Sequence, residues 1–162
     1  MEAEGRIPKV SQYGSVDPAP PAQEALVAEL TARLCDENEP MFQRMRAVFA
    51  LRNLRTDEAC LALCQGFASS SALLRHEIAY VLGQMQNTAA LPTLIQRLED
   101  DEEHVMVRHE AAEAMGAIGD RSVIPSLEKY SQDSQPEVAE SCSVAVDLLA
   151  WVAGAEFHET EC

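Results

Sequence analysis

Two histidine–glutamate dipeptides, His76-Glu77 and His109-Glu110, stand 33 residues apart in a chain of 162. Arg75 precedes the first and Arg108 the second. Ile78-Ala79-Tyr80-Val81-Leu82-Gly83 follows one pair, and Ala111-Ala112-Glu113-Ala114-Met115-Gly116 the other. An imidazole offers a nitrogen lone pair and a carboxylate offers hard oxygens, so two such pairs can converge on one metal ion. Two imidazoles and one carboxylate, with coordination positions left open, form the ligand set of non-haem Fe(II) sites that activate dioxygen. A zinc peptidase does not fit: it requires His-Glu-x-x-His on one helix, and Tyr80 and Glu113 occupy the fifth positions.

Such a site needs two helices side by side. At about 100° per residue, Ala111, Met115 and Ile118 centre one apolar stripe, and Ile78, Leu82 and Met85 centre the other. His109 then projects nearly opposite its stripe and Glu110 to one flank, with His76 and Glu77 placed alike. None of the four is expected on a packing face. Helix axes about 8–10 Å apart can be bridged by two long side chains. Tyr80 and Glu113, one turn on, are positioned to orient the imidazoles. Met45-Arg46 and Glu140-Ser141 fill the same slots in the flanking repeats, so the paired dipeptides are not a feature of every repeat. His104 reads as a solvated loop residue, and His158-Glu159 lacks any repeat register around it.

The elements themselves recur. The pattern predicts helices at about residues 22–36, 40–53, 57–68, 71–86, 88–99, 104–118, 122–132 and 136–152. Pro40 suits a first helical turn, Thr56, Asn87 and Ser122 are candidate N-caps, and Gly119-Asp120 closes a helix. Arg44, Arg75, Arg108 and Ala139 share one repeat position, and Pro92 and Pro125 another. A single helix pair cannot bury its apolar face, whereas stacked pairs share a core. The segment Val107-Arg108 through Ala111-Ala112, Ala114-Met115-Gly116 and Ile118-Gly119-Asp120 resembles a HEAT-like repeat. The expected fold is therefore all-α: an α-solenoid of about four HEAT-like helix pairs, about eight helices, with a Pro-rich extended segment before it. Residues 1–21 are expected as a weakly ordered N-terminal segment, 22–152 as the repeat domain and 153–162 as a tail. Gly83 and Gly116, each costing about 1 kcal/mol inside a helix, imply close helix–helix approach.

Composition narrows the function. Twelve basic against 27 acidic residues leave a net charge of −15, which repels phosphate backbones and attracts basic partners. The first residues hold no apolar signal region, and no run is long enough to cross a membrane. Five cysteines, Cys35, Cys60, Cys64, Cys142 and Cys162, form no disulfide framework. Cys60 and Cys64, one helical turn apart, are expected as small core residues, and the thiols as reduced in a cytoplasmic protein.

Leu74-Arg75-His76-Glu77, Tyr80-Val81-Leu82-Gly83-Gln84 and Met106-Val107-Arg108-His109-Glu110 are similar to the signature of the deoxyhypusine hydroxylase family. The resemblance runs from Ser15 onward and implies a HEAT-repeat, di-iron monooxygenase using dioxygen. Its substrate would be the deoxyhypusine side chain of a translation factor, converted to hypusine. The family has two halves and four His-Glu pairs, whereas this chain has two pairs and resembles the second half alone. By that resemblance His76, His109 and Glu110 would hold one Fe(II), at most one per isolated chain. Glu77 would be either a further ligand or a catalytic-site residue facing the substrate amine. A complementary half or a second copy would complete the site. The alternative is a HEAT scaffold that binds a partner without catalysis.

Overall fold

Alanine- and leucine-rich windows become helices, several of them opened by a capping side chain or by a proline in the first turn. The structure, a computed structural model, describes residues 10–23 and 26–154. Among these are eight α-helices: α1 (Val27–Cys35), α2 (Met41–Leu54), α3 (Asp57–Gln65), α4 (Ala72–Met85), α5 (Leu91–Glu99), α6 (Val105–Ile118), α7 (Ile124–Tyr130) and α8 (Pro136–Ala153). Thr56 and Ser71 cap α3 and α4 by accepting from the N–H groups of Ala59 and Leu74. Asn87 opens the 3₁₀ turn before α5, accepting from Ala89 N–H at 2.9 Å. The expected cap at Ser122 is instead Asp120, whose carboxylate accepts from Ser122 N–H at 2.8 Å. The cap stands two residues earlier than expected, so a free N–H of the turn meets the aspartate. Pro92 and Pro125 enter their helices in the first turn, where a missing N–H costs nothing.

The helices form two rows. α1, α3, α5 and α7 make the first, and α2, α4, α6 and α8 the second, with α4–α6 and α6–α8 the most extensive contacts. The continuous apolar core between the rows includes Leu34, Leu63, Leu94 and Leu127 from the first and Leu51, Ile78, Leu82 and Met115 from the second. Three of the second-row helices, α2, α4 and α6, end alike, with Arg55, Gln86 and Gly119 in the left-handed region at φ 54°, 52° and 86°. Only the third position uses glycine, which adopts that conformation without a Cβ penalty.

Glycine matters more inside the second row. A Cβ on Gly83 would lie 3.0 Å from Ala114 Cα, and one on Gly116 would lie 2.8 Å from Ala145 Cβ. These two positions let α4 approach α6 and α6 approach α8 almost backbone to backbone.

Arginines join the repeats along one edge. Arg44 Nε donates to Leu34 O and Arg108 Nε to Leu98 O, both at 2.9 Å, occupying carbonyls at the ends of α1 and α5. Each guanidinium also reaches the next repeat: Arg44 to Ser69 at 2.9 Å, Arg75 to Glu103 at 2.7 Å and Arg108 to Asp133 at 2.6 Å. Ala139 stands at the fourth position and ends the series.

The proline-rich stretch is extended, as its prolines require, but it is packed. Val10 and Val16 form an isolated antiparallel bridge around a turn in which Gly14 takes φ 75°. Asp17, Ala19 and Ala22 are buried. Ala22 N–H donates to Arg46 O at 3.0 Å, holding residue 22 against α2. The first helix consequently starts at Val27 rather than near Ala22.

Candidate metal centre

α4 and α6 carry the two dipeptides at equivalent points, and their close contact through Gly83 and Ala114 sets the separation of the imidazoles. The His76 and His109 ring centroids lie 5.7 Å apart with planes inclined 32°. Glu110 stands between them. Its Oε2 is 3.2 Å from His76 Nε2 and 3.7 Å from His109 Nε2. The ligand atoms of His76, His109 and Glu110 all lie within 4.8 Å of one another. Glu77 lies outside this cluster, with Oε2 4.0 Å from the other nitrogen of His76, Nδ1.

The helical-angle expectation that none of the four residues lies on a packing face needs correction. Glu110 is only 7 % exposed, and His76, Glu77 and His109 are half-buried. A second-row helix packs on three sides, against its own partner and both row neighbours, so its solvated arc is narrower than one apolar stripe implies.

Burial and charge act on the site together. The hydrogen bond to Glu110 raises the pKa of His76 above the ordinary imidazole value, against the lowering effect of burial. Burial is the main cause that raises Glu77. His109 Nε2 is buried with no hydrogen-bond partner. A buried, unpartnered nitrogen facing a carboxylate and a second imidazole fits a divalent cation, which would take the place of the hydrogen bond between His76 and Glu110.

The other predicted residues divide. Glu113 is an orienting partner, with Oε1 3.3 Å from His109 Nδ1. Tyr80 makes no hydrogen bond to His76 among the described residues; it lines a groove of about 360 Å³ with Tyr13, Gly83, Gln84, Glu110 and Glu113. His104 is exposed and caps α6, its Nδ1 accepting from Met106 N–H at 3.2 Å. His158-Glu159 and Cys162 lie outside the described residues. Cys60 and Cys142 are core residues, whereas Cys35 is exposed. Cys64 is half-buried, and a hydrogen bond from the Cys60 thiol draws its pKa down to about 7.

Two contributors were missed. Ser141, on α8, lies 3.2 Å from His109 Nδ1. Its signal was available, since it occupies the slot that Glu77 and Glu110 fill in their repeats. Arg52 is the other. It is fully buried and clamped bidentately by Asp17 at 2.7 and 2.8 Å, beneath the Tyr13 ring. Gln84 on α4 accepts from the same guanidinium at 3.0 Å, so the N-terminal segment is tied to a helix of the site.

The repeats match the HEAT repeats family over residues 61–146 and the PBS lyase HEAT-like repeat over residues 43–69. The chain belongs to the HEAT-repeat family. Within it, the chain is similar to deoxyhypusine hydroxylases: that of Gallus gallus is 53 % identical over 158 residues, covering 98 % of this chain and 53 % of the relative. The Homo sapiens protein is 46 % identical over 158 residues, covering 98 % and 52 %. A solved structure of human deoxyhypusine hydroxylase in complex with glycerol matches with a TM-score of 0.85 at 49 % identity, covering 89 % of this chain and 50 % of that one. The chain thus spans about half the length of the curated relatives it matches.

Proposed function

We propose that this chain carries half of the catalytic centre of a non-haem di-iron monooxygenase of the deoxyhypusine hydroxylase type, acting in the cytoplasm. The substrate would be the deoxyhypusine side chain of a translation factor, hydroxylated to hypusine. The observation that carries the reading is the convergence of His76 Nε2, His109 Nε2 and Glu110 on one point, with His109 Nε2 left without a partner. These three residues would hold one iron, which when bound supplies the means to activate dioxygen for attack on a C–H bond.

The chain's own groups have distinct tasks. His76 and His109 present nitrogens from adjacent helices, and Glu110 supplies the negative charge between them. Glu77, set apart from that cluster and raised by burial, faces the substrate amine: an approaching ammonium would favour its charged form. The groove beside Glu110, with Ala114 and Ala117 along it and Glu113 in its wall, suits an alkyl chain ending in a cation.

A single three-ligand cluster implies at most one iron per chain, so activity would require a complementary half or a second copy. The exposed stripe of Val144, Leu148, Trp151 and Val152 on α8, at the end of the arginine series, supports such a pairing. Iron analysis of the purified chain tests the assignment, together with His76→Ala and His109→Ala. One iron or less is expected, lost in either variant while helicity is kept. Two irons per chain would overturn it. Metal content indifferent to both substitutions would favour a binding scaffold.

A further inference from the structure

The contact between repeats has a regular direction. Glu110 of the third repeat reaches back to His76 of the second, and Ser141, in the same slot of the fourth, reaches back to His109 of the third. The two contacts meet different nitrogens: Nε2 of His76 and Nδ1 of His109. Ser141 is 7 % exposed, and its hydroxyl donates to Glu113 Oε1 at 2.9 Å. With that proton committed, the serine Oγ turns a lone pair toward His109 Nδ1 at 3.2 Å. The Glu113 oxygen lies 3.3 Å from the same nitrogen.

Two acceptor oxygens around one ring nitrogen are satisfied only if that nitrogen carries the proton. In the neutral ring Nε2 of His109 is then left with its lone pair, buried and facing Glu110. Among the described residues His76 has no comparable clamp, since its Nδ1 meets only Glu77, at 4.0 Å.

We propose that Ser141, acting with Glu113, is a positioning residue that locks His109 in its Nδ1–H tautomer and aims the Nε2 lone pair at a divalent metal ion; the metal part rests on the function proposed above. A carboxylate–histidine–metal arrangement of this kind fixes both ring orientation and ligand basicity. Here a buried hydroxyl from the next repeat holds the carboxylate in place.

Nitrogen-15 NMR of histidine-labelled, metal-free protein reads the tautomer directly. The parent chain should show His109 as the Nδ1–H form. Ser141→Ala and Glu113→Ala should each turn it into a tautomer mixture and keep the helical circular dichroism, and Ser141→Ala should leave His76 unchanged. Glu113 is half-exposed, so its variant folds even if the buried substitution does not. Titration with Co(II) should show an affinity about 10-fold weaker in both variants. An unchanged His109 tautomer in Glu113→Ala, or in a folded Ser141→Ala, overturns the proposal. A parent chain that binds no Co(II) overturns the metal reading instead, while the metal-free tautomer still decides the role of Ser141.

Discussion

Removing the Asp17 carboxylate would strand the Arg52 guanidinium in the protein interior. The two side chains are 7 % and 1 % exposed, and among the described residues the guanidinium would keep hydrogen bonds only to the neutral oxygens of Gln84 and Asn53, with Glu77 acting on it without such a bond. Leaving one partner of a buried ion pair unpaired costs about 3–5 kcal/mol. Asp17→Ala should therefore lower the unfolding free energy by that amount in urea titrations, and a loss below about 1 kcal/mol would show that Asp17 does not hold the segment down. The pair joins residues 35 apart across a proline-rich stretch that reads as linker. Composition reports solvation tendency and says nothing of a single specific partner. The metal candidates were legible for the opposite reason: His76 and His109 recur in register, and recurrence survives ignorance of the third dimension. Burial of Glu110 and the part played by Ser141 were not read, because each depends on how one helix seats against the next.

Helices, by contrast, follow from local physics. The 3.6-residue pattern, the prolines and Thr56 located most of the elements, and the misplaced start of α1 reflects a tertiary contact, Ala22 against α2, that no local pattern contains. Gly83 and Gly116 were readable as close approaches because a helix accepts the cost of glycine only for packing. Spacing between second-row helices is then a variable that one substitution can change. Gly83→Val would drive a Cβ to 3.0 Å from the Ala114 backbone, which cannot swing aside as a flexible side chain would. Such overpacking costs about 1–3 kcal/mol, offset by a few tenths from the better helix propensity of valine. The larger expected effect is on the site: separating α4 from α6 carries His76 away from Glu110. Thermal unfolding and metal titration together should find a modest loss of stability and a disproportionate loss of metal affinity. Equal affinity in Gly83→Val and the parent chain would mean that this contact does not set the imidazole spacing.

Across the whole molecule, stability is the sum of repeats and the ties between them, since each helix pair touches mainly its neighbours. Two of those ties depend on carboxylates at the edge of the stack. Hydrogen bonds from Arg44 and Ser70 hold Glu37 down to about 2, from an ordinary value of 4.5. Burial works to raise Asp133, but the Gln135 N–H and the Arg108 guanidinium together bring it below its ordinary 3.8. A carboxylate with a depressed pKa in the folded state contributes stability that is full above the unfolded value and disappears as pH falls through the folded one. The loss should therefore begin below about pH 4.5 and run toward about pH 2, while buried Arg44 and Arg108 give up charged partners. Protonation also exchanges a net charge of −15 for the positive charge of 12 basic residues and 4 histidines, so repulsion returns with the opposite sign. Helical circular dichroism against pH should show a plateau through pH 5 and a fall below it. Asp133→Asn should be less stable than the parent at neutral pH and lose less on acidification, because part of what acid removes is already gone. A parent chain equally stable at pH 5 and pH 2.5 would mean that these carboxylates do not hold the repeats together.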